Sequence, residues 1–241
     1  AAQSQVVGAQ LGGEAIATSI KAGLIGFAII VVFMIVIYYI SGVAASLALT
    51  LYVELIIILL NGFDITLTLP GIAGIILSVG MAVDANVIIF ARIREELAEG
   101  RTVKTAIDIG FKKAQSAIID GNITTLIAAA VLAVMGSGTV KGFAYTLALG
   151  IVLSMFTAMV VTKLIMKAFF ALGLTNPKLY GVARERKAVQ FTKKKAVFFT
   201  ASLAVIIAGF VFMGVNKAQT GNPLNYSLEF VGGTSTSVTF N

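Results

Sequence analysis

Long apolar stretches, broken by short polar or glycine-containing segments, run through almost the whole chain. Six are long enough to cross a bilayer as helices of about twenty residues: 22–40, 43–60, 71–91, 114–135, 143 to about 172, and 196–215. Barrel strands of about ten residues are much shorter than these runs, so the predicted class is an all-α polytopic membrane protein with six transmembrane helices. The breaks at Ser41-Gly42 and from Gly136 to Gly142 are short, which predicts antiparallel helical hairpins. The first run does not read as a signal peptide. Residues 1–20 ahead of it are polar and lack a basic region, and no small-residue cleavage site follows it.

Beyond the sixth run the pattern changes. Residues 235–240 (Ser-Thr-Ser-Val-Thr-Phe) alternate polar and apolar side chains and are rich in β formers, which predicts a strand. A strand in that place needs partners, so a β-containing extracytoplasmic domain is expected to start here. The expected organisation is the end of an extracytoplasmic region (1–20), a five-helix membrane domain (21–175), a basic cytoplasmic linker (176–195), a sixth transmembrane helix (196–216), and the start of that domain (217–241).

Composition agrees with the pattern. The 241 residues are 58% hydrophobic and 12% charged, against about 25% charged in soluble domains. Cysteine and histidine are both absent, which removes disulfides, thiol catalysis and most zinc chemistry. No cofactor, metal site or catalytic group is expected, and the chain does not read as an enzyme.

The formal charge of +7 invites a nucleic-acid partner, but the placement of the basic residues argues against one. Arg92, Arg94, Arg101, Lys104, Lys112 and Lys113 lie between the third and fourth runs. Lys178, Arg184, Arg186, Lys187, Lys193, Lys194 and Lys195 lie between the fifth and sixth, with Lys163 and Lys167 just before them. Only Lys21, Lys141 and Lys217 fall on the other side. Lys and Arg are retained on the cytoplasmic side, so both chain ends are expected to be extracytoplasmic.

Against this apolar background Asp84 stands out, well inside the third run. A mid-membrane aspartate costs about 2.5 to 3.5 kcal/mol on insertion scales, and such residues face a bundle interior or aqueous path and often carry ions or protons. The alternative is a protonated carboxyl that only hydrogen-bonds to a neighbouring helix. Asp84 lies eight residues before Arg92, and Asp120 seven after Lys113. At 1.5 Å per residue both are roughly 10 to 12 Å from the cytoplasmic end of antiparallel helices, so they can share one layer. No Lys or Arg of the six runs lies at that depth.

Ala117, Asp120, Gly121, Thr124 and Ala128 fall on one helical face, with Asn122 and Thr125 flanking it. A small, polar face of this kind suits close helix contact or a hydrated path. Gly74, Ser78 and Ala82 form a small-residue ridge for close backbone packing. Glu54, nearer the outer side, ranks below Asp84, with a polar neighbour or headgroups as its alternative partners. The segment from Gly136 to Gly142 lacks P-loop spacing and a preceding strand. The cluster of Arg94, Glu95, Glu96, Glu99, Arg101, Lys104 and Asp108 reads as a solvated amphipathic helix along the membrane surface.

Residues 71–97, from Gly71 through Asp84 and Asn86 to Leu97, strongly resemble the corresponding segment of SecD, an accessory subunit of bacterial protein export. Segments 100–108, 120–126 and 136–144 follow in the order that family uses. Residues 228–234 look like the entry to the first extracytoplasmic domain of SecF, with Glu229 where Asp is expected. The chain thus resembles part of a fused SecDF of the RND superfamily. That resemblance implies twelve spans in two halves, of which this chain holds the SecD-like second to sixth and the first SecF-like span.

The resemblance also implies a function: use of an inward H⁺ or Na⁺ gradient to help draw an exported polypeptide across the bacterial cytoplasmic membrane. The implied partners are the Sec translocation channel with its ATP-driven motor, the unfolded polypeptide, the remaining SecF-like half and the lipid bilayer. In the family the acid matching Asp84 works with charged residues of the other half, and the candidate coupling set here is Asp84, Asp120, Asn86 and Thr124. Two rival readings are an RND-type exporter of small molecules or lipids, and a passive scaffold of the channel in which Asp84 is dispensable.

Overall fold

The computed structural model describes residues 9–182 and 194–226, and the chain divides into two compact units that meet between Arg184 and Glu185. The first unit holds α1 (Ala9–Gly62), α2 (Leu69–Ala98), α3 (Val103–Met135), α4 (Thr139–Phe156), a π-helical turn (Thr157–Val161), α5 (Thr162–Ala171) and a 3₁₀ turn (Pro177–Tyr180). The second holds α6 (Lys195–Thr220). Five helices among the described residues are long and apolar enough to cross a membrane, with α4, the π turn and α5 forming one continuous rod.

Helix α1 carries two of the six predicted spans. Its 54 residues would measure about 81 Å if straight, far more than the hydrocarbon core of about 30 Å. It is not straight, because Tyr39 has φ 51° and ψ −123°. Gly23 lies beside Ile76 of α2, and the Tyr52 hydroxyl hydrogen-bonds with Ser78 of α2 at 2.6 Å. Both halves of α1 therefore flank the same level of α2, as in a hairpin folded at Tyr39. Past the bend Gly42 presses on the backbone of Met34, where a Cβ has no room. The reversal falls two residues before the Ser41-Gly42 break that sequence reading singles out.

Helix α2 begins where Thr68 caps it, its hydroxyl accepting from the Gly71 amide at 3.1 Å, with Pro70 in the first turn. Thr102 caps α3 in the same way, accepting from the Thr105 amide. Only residues 99–102 separate the two helices, which corrects the expectation of a solvated helix along the membrane surface. Residues 92–98 extend α2 and residues 103–113 open α3. Ile93 and Leu97 of α2 and Val103, Ile107 and Phe111 of α3 are all buried in one core, so this apolar face packs helix on helix rather than on lipid.

The Gly74, Ser78, Ala82 ridge packs as its spacing predicts. All three are buried, and α2 runs alongside α4 in the same direction. A Cβ on Gly74 would sit 2.6 Å from Thr146 Oγ1, Gly71 lies against the Gly142 carbonyl, and a Cβ on Gly150 would meet Ser78 and sit 2.9 Å from Tyr52 Oη. Glycines at these crossings let the two backbones touch.

Helix α6, taken by itself, has no buried residue and ends at Gly221 in a left-handed conformation, φ 79°. No strand occurs among the described residues. The strand predicted for 235–240 lies outside them, as do Arg184, Arg186, Lys187 and Lys193 of the basic linker.

Candidate functional site

The helical period divides α2 into two faces. Ala82, Ala85, Asn86, Ile89 and Ile93 are buried, while Leu77, Asp84 and Ala91 are exposed on the opposite stripe. Asp84 makes no hydrogen bond or ion pair with the described residues. It therefore lies on the outside of the first unit rather than in its interior, contrary to the usual placement of an intramembrane acid.

The layer shared with Asp120 follows from packing. A Cβ on Gly110 of α3 would crowd the Ile93 backbone of α2, at 3.0 Å from its nitrogen, which fixes the register of this antiparallel pair. From that crossing Asp84 is nine residues back and Asp120 ten residues on, about 14 Å and about 15 Å along the two helices. Asp120 is exposed, and its Oδ2 accepts from Ser116 on its own helix at 3.2 Å.

The whole predicted face of α3, Ala117, Asp120, Gly121, Thr124 and Ala128, is likewise exposed. Its hydroxyls are turned to the helix itself: Thr124 and Thr125 donate to the Gly121 carbonyl at 2.7 and 3.3 Å. Asn122 donates to the Ile118 carbonyl at 2.7 Å.

Asn86 stands apart from the other three candidates. Two residues from Asp84, it is rotated by about 200° around α2 and only 3% exposed. Its Nδ2 donates to the Ala82 carbonyl at 3.2 Å, while its Oδ1 is buried without a partner among the described residues. Glu54 is exposed, with no polar partner among the described residues.

The basic end of the bundle is more ordered than its charge pattern suggests. Glu96, inside the stretch expected to be solvated, is only 1% exposed, and its oxygens meet Lys113 Nζ at 2.6 Å and Arg101 Nε at 2.9 Å. Arg94 donates from Nη2 to the Ile37 carbonyl at the α1 bend and stacks 4.6 Å over the Tyr38 ring. Asp108, in the charged opening of α3, pairs with Lys167 at 2.9 Å, which holds its carboxyl below the ordinary range. Burial pushes the Tyr180 phenol up, and its hydroxyl donates to the Leu174 carbonyl at 2.8 Å. Among the described residues no group of three acidic or metal-binding side chains could hold a metal ion.

Sequence reading assigns Glu96 and Arg94 to a solvated surface helix, whereas Glu96 is buried, and it passes over the buried hydroxyls Ser154, Thr157 and Thr162 of the fifth span. Only these hydroxyls had a visible signal, as polar residues recurring within an apolar run.

A sequence profile described as "Protein export membrane protein SecD/SecF, C-terminal" matches residues 1–171. The SecD protein translocase subunit of Acidaminococcus fermentans is 50% identical over 180 residues, covering 74% of this chain and 43% of that protein. The Pseudomonas aeruginosa SecD subunit is 49% identical over 169 residues, covering 70% of this chain and 27% of that protein. The crystal structure of SecDF from Thermus thermophilus, described as a translocon-associated membrane protein, superposes with a TM-score of 0.81 at 37% identity. That match covers 95% of this chain and 31% of the solved one. The chain thus spans less than half the length of these relatives. With a profile matching well over half of its residues and a shared helical membrane fold, the chain belongs to the SecD/SecF family of protein export membrane proteins.

Proposed function

We propose that this chain supplies most of one membrane half of an accessory unit of the Sec protein translocase, which uses an inward H⁺ or Na⁺ gradient to promote polypeptide export. The observation that carries the proposal is Asp84, unpaired among the described residues on the outer surface of α2, in one layer with the exposed polar face of α3. A charged aspartate facing lipid costs about 2.5 to 3.5 kcal/mol, so a further set of helices must cover this layer. Gly121, whose Cβ position is open, together with Ala117 and Ala128, gives α3 the small profile such a contact needs.

The SecF-like half is the natural cover, and a cation between the two halves then loads and unloads Asp84. Moving one charge through 100 mV releases about 2.3 kcal/mol, enough to bias a rocking of two halves. The unit makes and breaks no covalent bond itself. ATP hydrolysis falls to the motor on the Sec channel. The proposed location is the bacterial cytoplasmic membrane, with the Arg94 end of the bundle inside and both chain ends outside.

The test compares inverted membrane vesicles with and without the full-length protein, each loaded with the Sec channel, its motor and an exported polypeptide. Imposing an H⁺ or Na⁺ gradient is expected to speed completion of translocation only where the protein is present. Equal acceleration in both preparations refutes the proposal, and acceleration by one cation alone identifies the coupling ion.

A further inference from the structure

The rod that makes up the fifth span, Thr139 to Ala171, is α-helical except for the wide turn Thr157–Val161. Such π turns carry one extra residue within an α-helix and often mark functional positions. Here the cause is local. Thr162 follows Thr157 by five residues, and both its backbone amide and its hydroxyl donate to the Thr157 carbonyl, the hydroxyl at 3.1 Å. The Thr157 hydroxyl in turn occupies the Leu153 and Ser154 carbonyls at 3.0 and 3.2 Å. Hydroxyls thus hold the wide form.

The turn also separates two differently anchored segments. Above it α4 is locked to α2 by the glycine crossings at Gly71, Gly74 and Gly150. Below it α5 packs on α1 and α3, buries Met166, and ties Lys167 to Asp108 of α3. The crossings pair 71 with 142, 74 with 146 and 78 with 150, so the same register brings Asn86 level with Ala158, inside the turn. Helix α2 does pack on this turn. At that level Asn86 has a buried oxygen with no partner among the described residues, and Ala158 is fully buried. Asp84 and Asn86 thus set an exposed acid and a buried amide on opposite sides of one helix turn.

We propose that the turn at Thr157–Val161 is a joint that passes movement of α2 at the Asp84 level to α5 and the basic end of the bundle by shifting between the π and α forms. Converting a π turn to α removes one residue from it, which rotates the following helix by about 100° and shifts it about 1.5 Å. Such a rotation carries Lys167 away from Asp108. Asn86, with its unused acceptor, is placed to bond whichever group the shift frees. This inference rests on the gradient-coupled reading given above.

The test uses the full-length protein in membrane vesicles, with cysteines at positions 108 and 167 joined by a short reagent bearing two thiol-alkylating groups. This chain has no cysteine of its own. In the parent, imposing the gradient is expected to lower the cross-link yield, and in Asp84→Asn to leave it unchanged. Thr162→Val, which keeps the side-chain volume but loses the hydroxyl bond, is expected to shift the α-to-π ratio about fivefold. It then gives a lower yield than the parent even without a gradient. Thr162→Ser restores the parent's behaviour. Thr162→Ala replaces the valine variant if that one fails to accumulate.

Parent-like yield and gradient response in Thr162→Val or Thr162→Ala, with the response lost in Asp84→Asn, overturns the joint and leaves the coupling reading standing. A full gradient response of export and cross-linking in Asp84→Asn overturns the coupling reading and the joint with it.

Discussion

Asp84→Asn abolishes gradient-stimulated export by the full-length protein while leaving its insertion and abundance near those of the parent. Asparagine keeps the shape of the side chain and removes only the ability to gain and lose charge. Asp84 is exposed and unpaired among the described residues, so the first unit loses no internal contact. Substitutions of that kind usually change stability by less than about 0.5 kcal/mol. Export with and without a gradient, together with the amount of protein in the membrane, measures the two effects separately. Gradient-stimulated export at the parent's rate refutes a coupling role for Asp84 and favours a passive scaffold. Asp120→Asn is expected to be milder, because Asp120 already accepts from Ser116 on its own helix and shapes the layer without being alone in it. An equal loss makes Asp120 part of the relay.

What the sequence discloses here depends on how local each feature is. Six apolar runs are visible because each is a property of consecutive residues, and the small-residue ridge because its four-residue spacing needs only the helical period. The outward position of Asp84 is not visible in that way. Every face of a membrane helix is apolar, so the pattern that separates core from water in a soluble protein does not separate core from lipid. Burial of Glu96 depends on Lys113, which folds back from the next helix, and in one dimension the cluster looks like any solvated run of charges.

The same limit applies to Tyr39 and Thr157. The reversal in α1 is legible from the Ser41-Gly42 break, but its placement at Tyr39 is not, because a tyrosine gives no sign of a positive φ. The π turn depends on a threonine pair five residues apart, whose hydroxyls in sequence look like ordinary small polar residues of a span. Asn86 and Asp84 lie together within one motif, and only the helical rotation separates their environments.

The glycine crossing between α2 and α4 gives the largest expected effect on folding. In Gly150→Leu the new Cβ would sit 2.9 Å from Tyr52 Oη and closer still to Ser78. Ser78 is held by its own helix, donating to the Ile75 carbonyl at 2.8 Å, and cannot swing far. The α2 backbone has to move away, which breaks the buried 2.6 Å bond between Tyr52 and Ser78. Overpacking of this sort costs about 1 to 3 kcal/mol, and a buried hydroxyl left unpaired about 1 to 3 kcal/mol more. A loss of about 4 kcal/mol is a large part of the 5 to 15 kcal/mol typical of folded proteins. It is expected to lower the melting temperature of the purified full-length protein in detergent by about 3 to 4 °C and to reduce its abundance in the membrane. Gly26→Leu is the control, because a Cβ at Gly26 meets nothing within 4 Å. Gly80→Leu separates folding from coupling, since its Cβ is equally open in this chain yet lies one turn before Asp84. That variant is expected to melt like the parent and lose gradient-stimulated export, because a bulky side chain there holds the covering helices away from the acid. If Gly150→Leu melts within about 1 °C of the parent, a shift that corresponds to about 1 kcal/mol in a protein of that length, then α2 and α4 are not held together by this close contact.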